Sequence, residues 1–223
     1  YTLIDTAGLR RRQKMDSSVE VFSAMRSERS IRRADLCLLV IDAANGVTSM
    51  DRKIARKILD ENKPCIVLLN KFDLYHPDGS KKARLEELNE HVRQELFFLH
   101  YAPLVAVSAL KGQYLNKIFG GIERVHRAAN AHIGTGELNR MLKLAVEKNP
   151  APVRKNRKLN LMYVTVKRHD RPRAIEVPQF LLFANHADLV SRTYERYLEN
   201  SLRETYDLTG LPINFVVKSR KKD

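Results

Sequence analysis

The stretch CIVLLNKFD, Cys65–Asp73, decides how the chain folds. Five apolar residues run without a break and stop at Asn70, Lys71 and Asp73. A short, wholly apolar run suits a strand covered on both faces, the habit of a parallel sheet. In an open parallel sheet, ligands bind beyond the carboxyl ends of the strands. The residues after each such run are therefore where chemistry is sought.

Outward from this stretch the pattern recurs. Tyr1–Ile4, Leu36–Ile41 (LCLLVI) and Leu104–Val107 (LVAV) are further strand candidates, with helical patterns near 18–33, 51–61, 80–98 and 114–130. Strands alternating with helices predict βαβ units, a mostly parallel sheet and right-handed crossovers over residues 1–131. From residue 132 the texture changes. Leu138, Met141, Leu142 and Ala145 recur at helical spacing, and Pro150 and Pro152 end that helix in the basic connector KNPAPVRKNRK. Strands over 159–167 and 175–184, a helix marked by Tyr194, Tyr197, Leu198 and Leu202, and a strand over 212–217 complete a small α+β domain, 132–223.

The 223 residues suffice for one large or two small domains, and 43% apolar with 30% charged content is ordinary for a globular protein. No apolar run approaches the ~20 residues that span a bilayer, so no membrane span is expected. Cys37 and Cys65 lie inside apolar runs and read as buried, reduced thiols, which fits a cytoplasmic protein. The seven histidines show no ligand spacing. The net charge of +14 favours a polyanionic partner. Residues 1–133 hold 22 basic and 16 acidic side chains, and residues 134–223 hold 18 and 10, so the shorter part carries the larger excess, +8 against +6.

Three polar motifs follow three strands: DTAG (Asp5, Thr6, Ala7, Gly8), NKFD (Asn70, Lys71, Phe72, Asp73) and SALKG (Ser108, Ala109, Leu110 and onward). Each suits one part of a guanine nucleotide. An Asp ending a strand holds Mg²⁺ through water in P-loop enzymes, the role open to Asp5. Gly8, without Cβ, lets its N–H approach a terminal phosphate. Asp73 offers two acceptors to the guanine ring N–H and amine, Asn70 and Lys71 brace that loop, and N–H groups around Ala109 face the guanine carbonyl. Singly these motifs recur by chance; in this order, at successive strand ends, they define a nucleotide crevice.

With these motifs the sequence resembles the translation-factor-type GTPases. DTAGLRRR followed by Val19–Ser23, NKFD and SALKG, then GTGELNRMLKLAVEKNPAP, LLFANH and YERYLENSLRETYDLTGLPI, resemble the second GTPase domain and KH-like domain of the bacterial Der (EngA) family. That resemblance implies GTP and GDP as ligands with Mg²⁺, and GTP hydrolysis in assembly of the large ribosomal subunit. It also implies rRNA contact and packing of the KH-like domain on tandem, repeated GTPase domains. Leu9 stands where Ras-like enzymes place a water-orienting glutamine, so the resemblance implies the hydrophobic-substituted group, helped by K⁺. The family's GxxxxGK[ST] loop and first switch are not in this sequence. The chain therefore reads as a fragment of a P-loop GTPase that alone binds nucleotide poorly and hydrolyses it negligibly. A non-catalytic RNA- or ribosome-binding module on a degenerate GTPase scaffold is the alternative.

Basic candidates for RNA or ribosome contact are Arg10, Arg11, Arg12 and Lys14 after DTAG, Arg154, Lys155, Arg157 and Lys158 in the connector, and Lys218, Arg220, Lys221 and Lys222 at the end. Tyr163, Phe180 and Phe183 fall on strands of the small domain, where aromatics either fill a core or stack bases. No GxxG loop, the usual RNA clamp of KH domains, occurs between 134 and 223.

Overall fold

The computed structural model describes residues 1–4, 28–76, 78–151, 157–167 and 174–219. The chain divides into two compact units, Tyr1–His126 with Thr209–Pro212, and Arg127–Leu208 with Ile213–Asp223.

The first unit holds a parallel three-stranded sheet in the order β1 (Cys37–Asp42), β2 (Cys65–Asn70), β3 (Leu104–Ala106). Helix α1 (Ser49–Asp60) links β1 to β2, and α2 (Lys81–Glu95) links β2 to β3. Both starts are capped: Thr48 and Asp51 exchange bonds across the first turn of α1, and Ser80 accepts from the Ala83 N–H at α2. Alternation of strand and helix thus gives the anticipated parallel sheet. β2 is the hub, buried from Cys65 to Leu69 and hydrogen-bonded on both edges. Ala55 and Ile58 of α1, and Leu88 and Val92 of α2, pack in the core with Cys37, Leu39 and Ile41 of β1. Cys37 and Cys65 stand side by side in the register as free, buried thiols. Burial pushes Cys37 up to about 11, so it stays protonated at neutral pH.

Two expectations are corrected. Tyr1–Ile4 forms no strand and lies exposed, Tyr1 at 91% and Leu3 at 84%. Three apolar residues and Thr2 do not hold a strand without a ladder partner, and none of the described strands pairs with them. β1 is covered on one face only: Val40 is 55% exposed because no described element lies over it.

Lys63 closes the strand entry. Its ammonium is buried at 5% exposure and donates to the carbonyls of Arg32 (2.6 Å) and Ala34 (2.9 Å), ending the helical stretch 28–33. Gly210 returns to the same edge of the first unit. Its carbonyl accepts from Cys65 N–H at 3.0 Å and its N–H donates to Tyr101 O at 2.8 Å. It adopts φ +75°, and an added Cβ would lie 2.3 Å from Val125 Cγ2.

The second unit contains α4 (Thr135–Lys148), β4 (Leu161–Lys167), β5 (Gln179–Ala184), α5 (Arg192–Thr205) and β6 (Asn214–Ser219), after α3 (Asn116–Asn130). β5 is central, antiparallel to β4 and parallel to β6. One sheet face carries the buried Val164, Phe180 and Leu182; Leu138 and Leu142 of α4, and Leu198 and Leu202 of α5, are buried too. Asn139 of α4 exchanges hydrogen bonds of 2.9 Å with both backbone groups of Val164, fixing helix to strand. Among the described residues, no helix is long and apolar enough to cross a membrane.

Gly210→Ala combines a left-handed backbone with a clash against Val125, each costing about 1–3 kcal/mol. A urea titration should therefore place this variant about 2–6 kcal/mol below the parent; a loss under 0.5 kcal/mol would show that Val125 yields.

Candidate functional site

The carboxyl ends of β1, β2 and β3 bring together the NKFD and SALKG loops. The parallel register sets Asp42 beside Asn70 at the last rung, and Ala43 N–H bonds the Asn70 carbonyl at 2.8 Å. The chain then turns sharply. Lys71 is left-handed at φ +61°, an uncommon conformation for a residue with a Cβ. Its ammonium lies 2.6 Å from Asp42 Oδ2, and the Asp42 carboxylate also accepts from Ala44 N–H (3.1 Å) and the Asn45 amide (2.9 Å). Burial pushes the Asp42 carboxyl up, but the Lys71 ammonium and these donors together outweigh it and hold it below its ordinary value.

Phe72 is buried, and Arg84 of α2 fixes the turn beneath it. The guanidinium donates to the Phe72 carbonyl and, at 2.5 Å, to the Tyr75 carbonyl, with its carbon 4.7 Å from the Phe72 ring centre. Asp73 follows Phe72 in the same turn. Its side chain is 8% exposed, with Lys111 Nζ at 3.4 Å. Chiefly the Ser108 hydroxyl, and then Lys111, hold this carboxyl below its ordinary value against the opposing effect of desolvation. Asp73 is therefore an ionised acceptor at neutral pH.

The second loop locks to the first. Asn70 Oδ1 accepts from Ala109 N–H at 3.0 Å across the strand ends. Ser108 is buried, forms a two-bond bridge with Gln113, and its hydroxyl accepts from Lys111 N–H at 3.3 Å. Leu110 projects at the tip, 94% exposed. Asn70, Lys71, Phe72, Asp73, Ser108, Ala109 and Leu110 thus gather in one place. The Ala109 N–H is engaged by Asn70.

Asp5, Thr6, Ala7, Gly8, Leu9, Arg10, Arg11, Arg12 and Lys14 lie outside the described residues, as do Arg154, Lys155, Arg220, Lys221 and Lys222. Arg157 is paired with Asp188 at 2.8 Å, so its charge is partly spent; Lys158 and Lys218 are exposed. Three contributors escaped sequence reasoning. Arg84 carries no motif of its own, and Lys111, though within SALKG, was given no role there. Asp42 had a signal, since it ends LCLLVI as Asn70 ends CIVLL.

Parallel strand ends presenting these two loops define the guanine-nucleotide-binding class of α/β domain. Residues 13–150 match the family described as the elongation factor Tu GTP binding domain, and residues 132–218 the KH-domain-like family of EngA bacterial GTPase enzymes, C-terminal. Proteins called GTPase Der align over the whole chain: 48% identical in Akkermansia muciniphila, 40% in Heliobacterium modesticaldum and 38% in Acetivibrio thermocellus. The chain spans about half of each, 48%, 48% and 49% of their lengths. It belongs to the translation-factor-type GTP-binding family and, within it, to the Der (EngA) GTPases.

Because the folded-state value of Asp42 is depressed, its stabilising effect is complete above the ordinary carboxyl value near 4 and is lost as pH falls through the lower folded value. Asp42→Asn should lower stability by about 1 kcal/mol at pH 7 and flatten the acid limb of a pH–stability curve. An unchanged acid limb would remove the Asp42–Lys71 pair from the loop's support.

Proposed function

We propose that this chain is the guanine-selecting part of a GTP-hydrolysing protein that acts in large ribosomal subunit assembly in the cytoplasm. The observation that carries the reading is Asp73, an ionised carboxylate held in place by Ser108 and Lys111 at the end of a rigid strand. Two acceptor oxygens there match the ring N–H and exocyclic amine of guanine, a pair that adenine lacks. Leu110 N–H, with its neighbours in SALKG, supplies a donor for the guanine carbonyl. The Lys71 stem, fixed by Asp42, lines the base slot.

Asp5 would hold Mg²⁺ through water, and Gly8 would meet the terminal phosphate. The metal would neutralise phosphate charge as the transferred group departs. Leu9 has no group to orient water, so that task would fall elsewhere, in this family with K⁺. Nucleotide state would pass to rRNA and to the packing of the KH-like unit through Leu9–Lys14. The high positive charge supports a polyanionic partner, and the family resemblance read from the sequence implies that this partner is the ribosome. The intact Asn70, Lys71 and Asp73 disfavour a degenerate, non-catalytic scaffold.

In the full-length protein, Asp73→Asn exchanges an acceptor for a donor. Two charge-assisted hydrogen bonds are worth roughly 3 kcal/mol or more together, so GTP affinity should fall about a hundredfold or more while xanthine nucleotide binding rises. Fluorescent-nucleotide titration measures both, and unchanged guanine selectivity would remove Asp73 from the base site. Sedimentation with large ribosomal subunits should show affinity falling steeply between 50 and 200 mM salt, as released counterions require. A salt-independent affinity would exclude rRNA as the main partner.

A further inference from the structure

The three-stranded sheet of the second unit has one buried face and one open face, and the open face has an ordered chemical layout. Register places Tyr163, Phe183 and Lys218 in one row across β4, β5 and β6, and Lys167, Gln179 and Asn214 in another, with Thr165, Leu181 and Val216 between them. Tyr163 and Phe183 stack face to face, ring centres 4.3 Å apart and planes 13° from parallel. Both rings are only half-buried, whereas Phe180, three residues before Phe183 and so on the other face of β5, is fully buried. A register shift lies between Leu161 and Tyr163. It lets Leu161 meet Ala184 on the buried side and still sets Tyr163 opposite Phe183 on the other.

We infer that this face is a binding platform for a short segment of single-stranded RNA. The inference rests on the RNA-directed reading above and assigns it a surface. Aromatic rings standing on a sheet hold bases by stacking whatever their sequence, and two or three bases is the usual span of such modules. The two rows are four residues apart along β5, about 13 Å at ~3.3 Å per residue, which accommodates that number. Lys167 and Lys218 occupy opposite corners and supply charge for the phosphates. Gln179 and Asn214 add amides able to pair with base edges.

Charge decides between RNA and a protein partner. None of the residues in β4, β5 or β6 is acidic, and the 134–223 region carries an excess of +8. The sequence beyond each lysine corner is basic as well, RHDRPR after Lys167 and SRKK after Lys218. Leu181 and Val216 are the apolar residues between the two rows, half-buried, and lysines and amides stand around them and the aromatic pair. The lack of a GxxG loop in this region is then no obstacle, because stacking here does not use one.

The test is binding of the full-length protein to labelled single-stranded RNA octamers of mixed sequence, followed by fluorescence anisotropy at 50 and 200 mM salt. Tyr163→Leu and Phe183→Leu should each weaken binding about fivefold or more and leave the salt slope unchanged. Lys167→Gln and Lys218→Gln should each reduce that slope by about 0.7. Photocrosslinking of 5-iodouridine RNA to the unaltered protein should place adducts on Tyr163 or Phe183, which reads the site even where a ring variant fails to fold. Tight RNA binding with unaffected ring variants and adducts elsewhere would overturn the platform and leave the RNA reading standing. Failure of the unaltered protein to bind RNA or ribosomal particles would overturn both. Ring variants that keep RNA affinity and lose a ribosomal protein would give this face to a protein instead.

Discussion

The register between β1 and β2 is the constraint on which the nucleotide end depends. Parallel pairing brings Asp42 and Asn70 to the same rung, and from that rung the chain must turn within one residue. Lys71 makes the turn in a left-handed conformation that costs about 1 kcal/mol or more. The 2.6 Å contact with Asp42 offsets that cost, since a charge-assisted bond is roughly twice as strong as a neutral one. A slip of one residue would move Asp42 to the wrong side and leave Lys71 strained without a partner. The strand interior enforces the register: β2 is buried on both faces, paired on both edges and tied at its start to Gly210.

Beyond the turn, opposite charges alternate: Asp42 with Lys71, Asp73 with Lys111. This arrangement keeps both carboxylates ionised in a partly desolvated crevice, where burial alone would favour the neutral acid. The two pairs are built differently. Asp42–Lys71 is short and reinforced by two more donors, as a structural brace should be. Lys111 sits 3.4 Å from Asp73 and is half exposed, a looser hold on its carboxylate. On the function proposed above, a guanine edge, with two N–H groups in one plane, takes the place of Lys111. Asn70 completes the rigid side of the crevice by spending its carbonyl oxygen on Ala109 rather than on a ligand.

Much of this was legible because a parallel sheet has polarity. Once CIVLL and LVAV are read as strands pointing the same way, NKFD and SALKG must fall at the same edge. The Tyr1–Ile4 run misled because apolar composition does not supply a hydrogen-bond partner. Asp42 was overlooked because an acid after a strand reads equally as a turn residue, and only the register reveals its cation. Lys111 and Arg84 act through distances that no spacing rule encodes. In the second unit, composition could not separate Phe180 from Tyr163 and Phe183. All three are aromatic residues on strands; Phe180 and Phe183, three residues apart on β5, fall on opposite faces, and the register sets Tyr163 on the side of Phe183.

The functions proposed for the two units contrast in their chemistry. In the first, the proposed specificity rests on a fixed carboxylate in a crevice, where each missing hydrogen bond carries a desolvation penalty. In the second, the proposed contact by stacked rings and lysines offers no such penalty, so it tolerates many sequences and answers mainly to salt. A protein that reads one nucleotide strictly and holds a polynucleotide loosely needs both kinds of surface. Placing the loose one on a sheet face, with its helices all committed to the opposite core, leaves its side chains open to change without disturbing Val164, Phe180 or Leu182 beneath them.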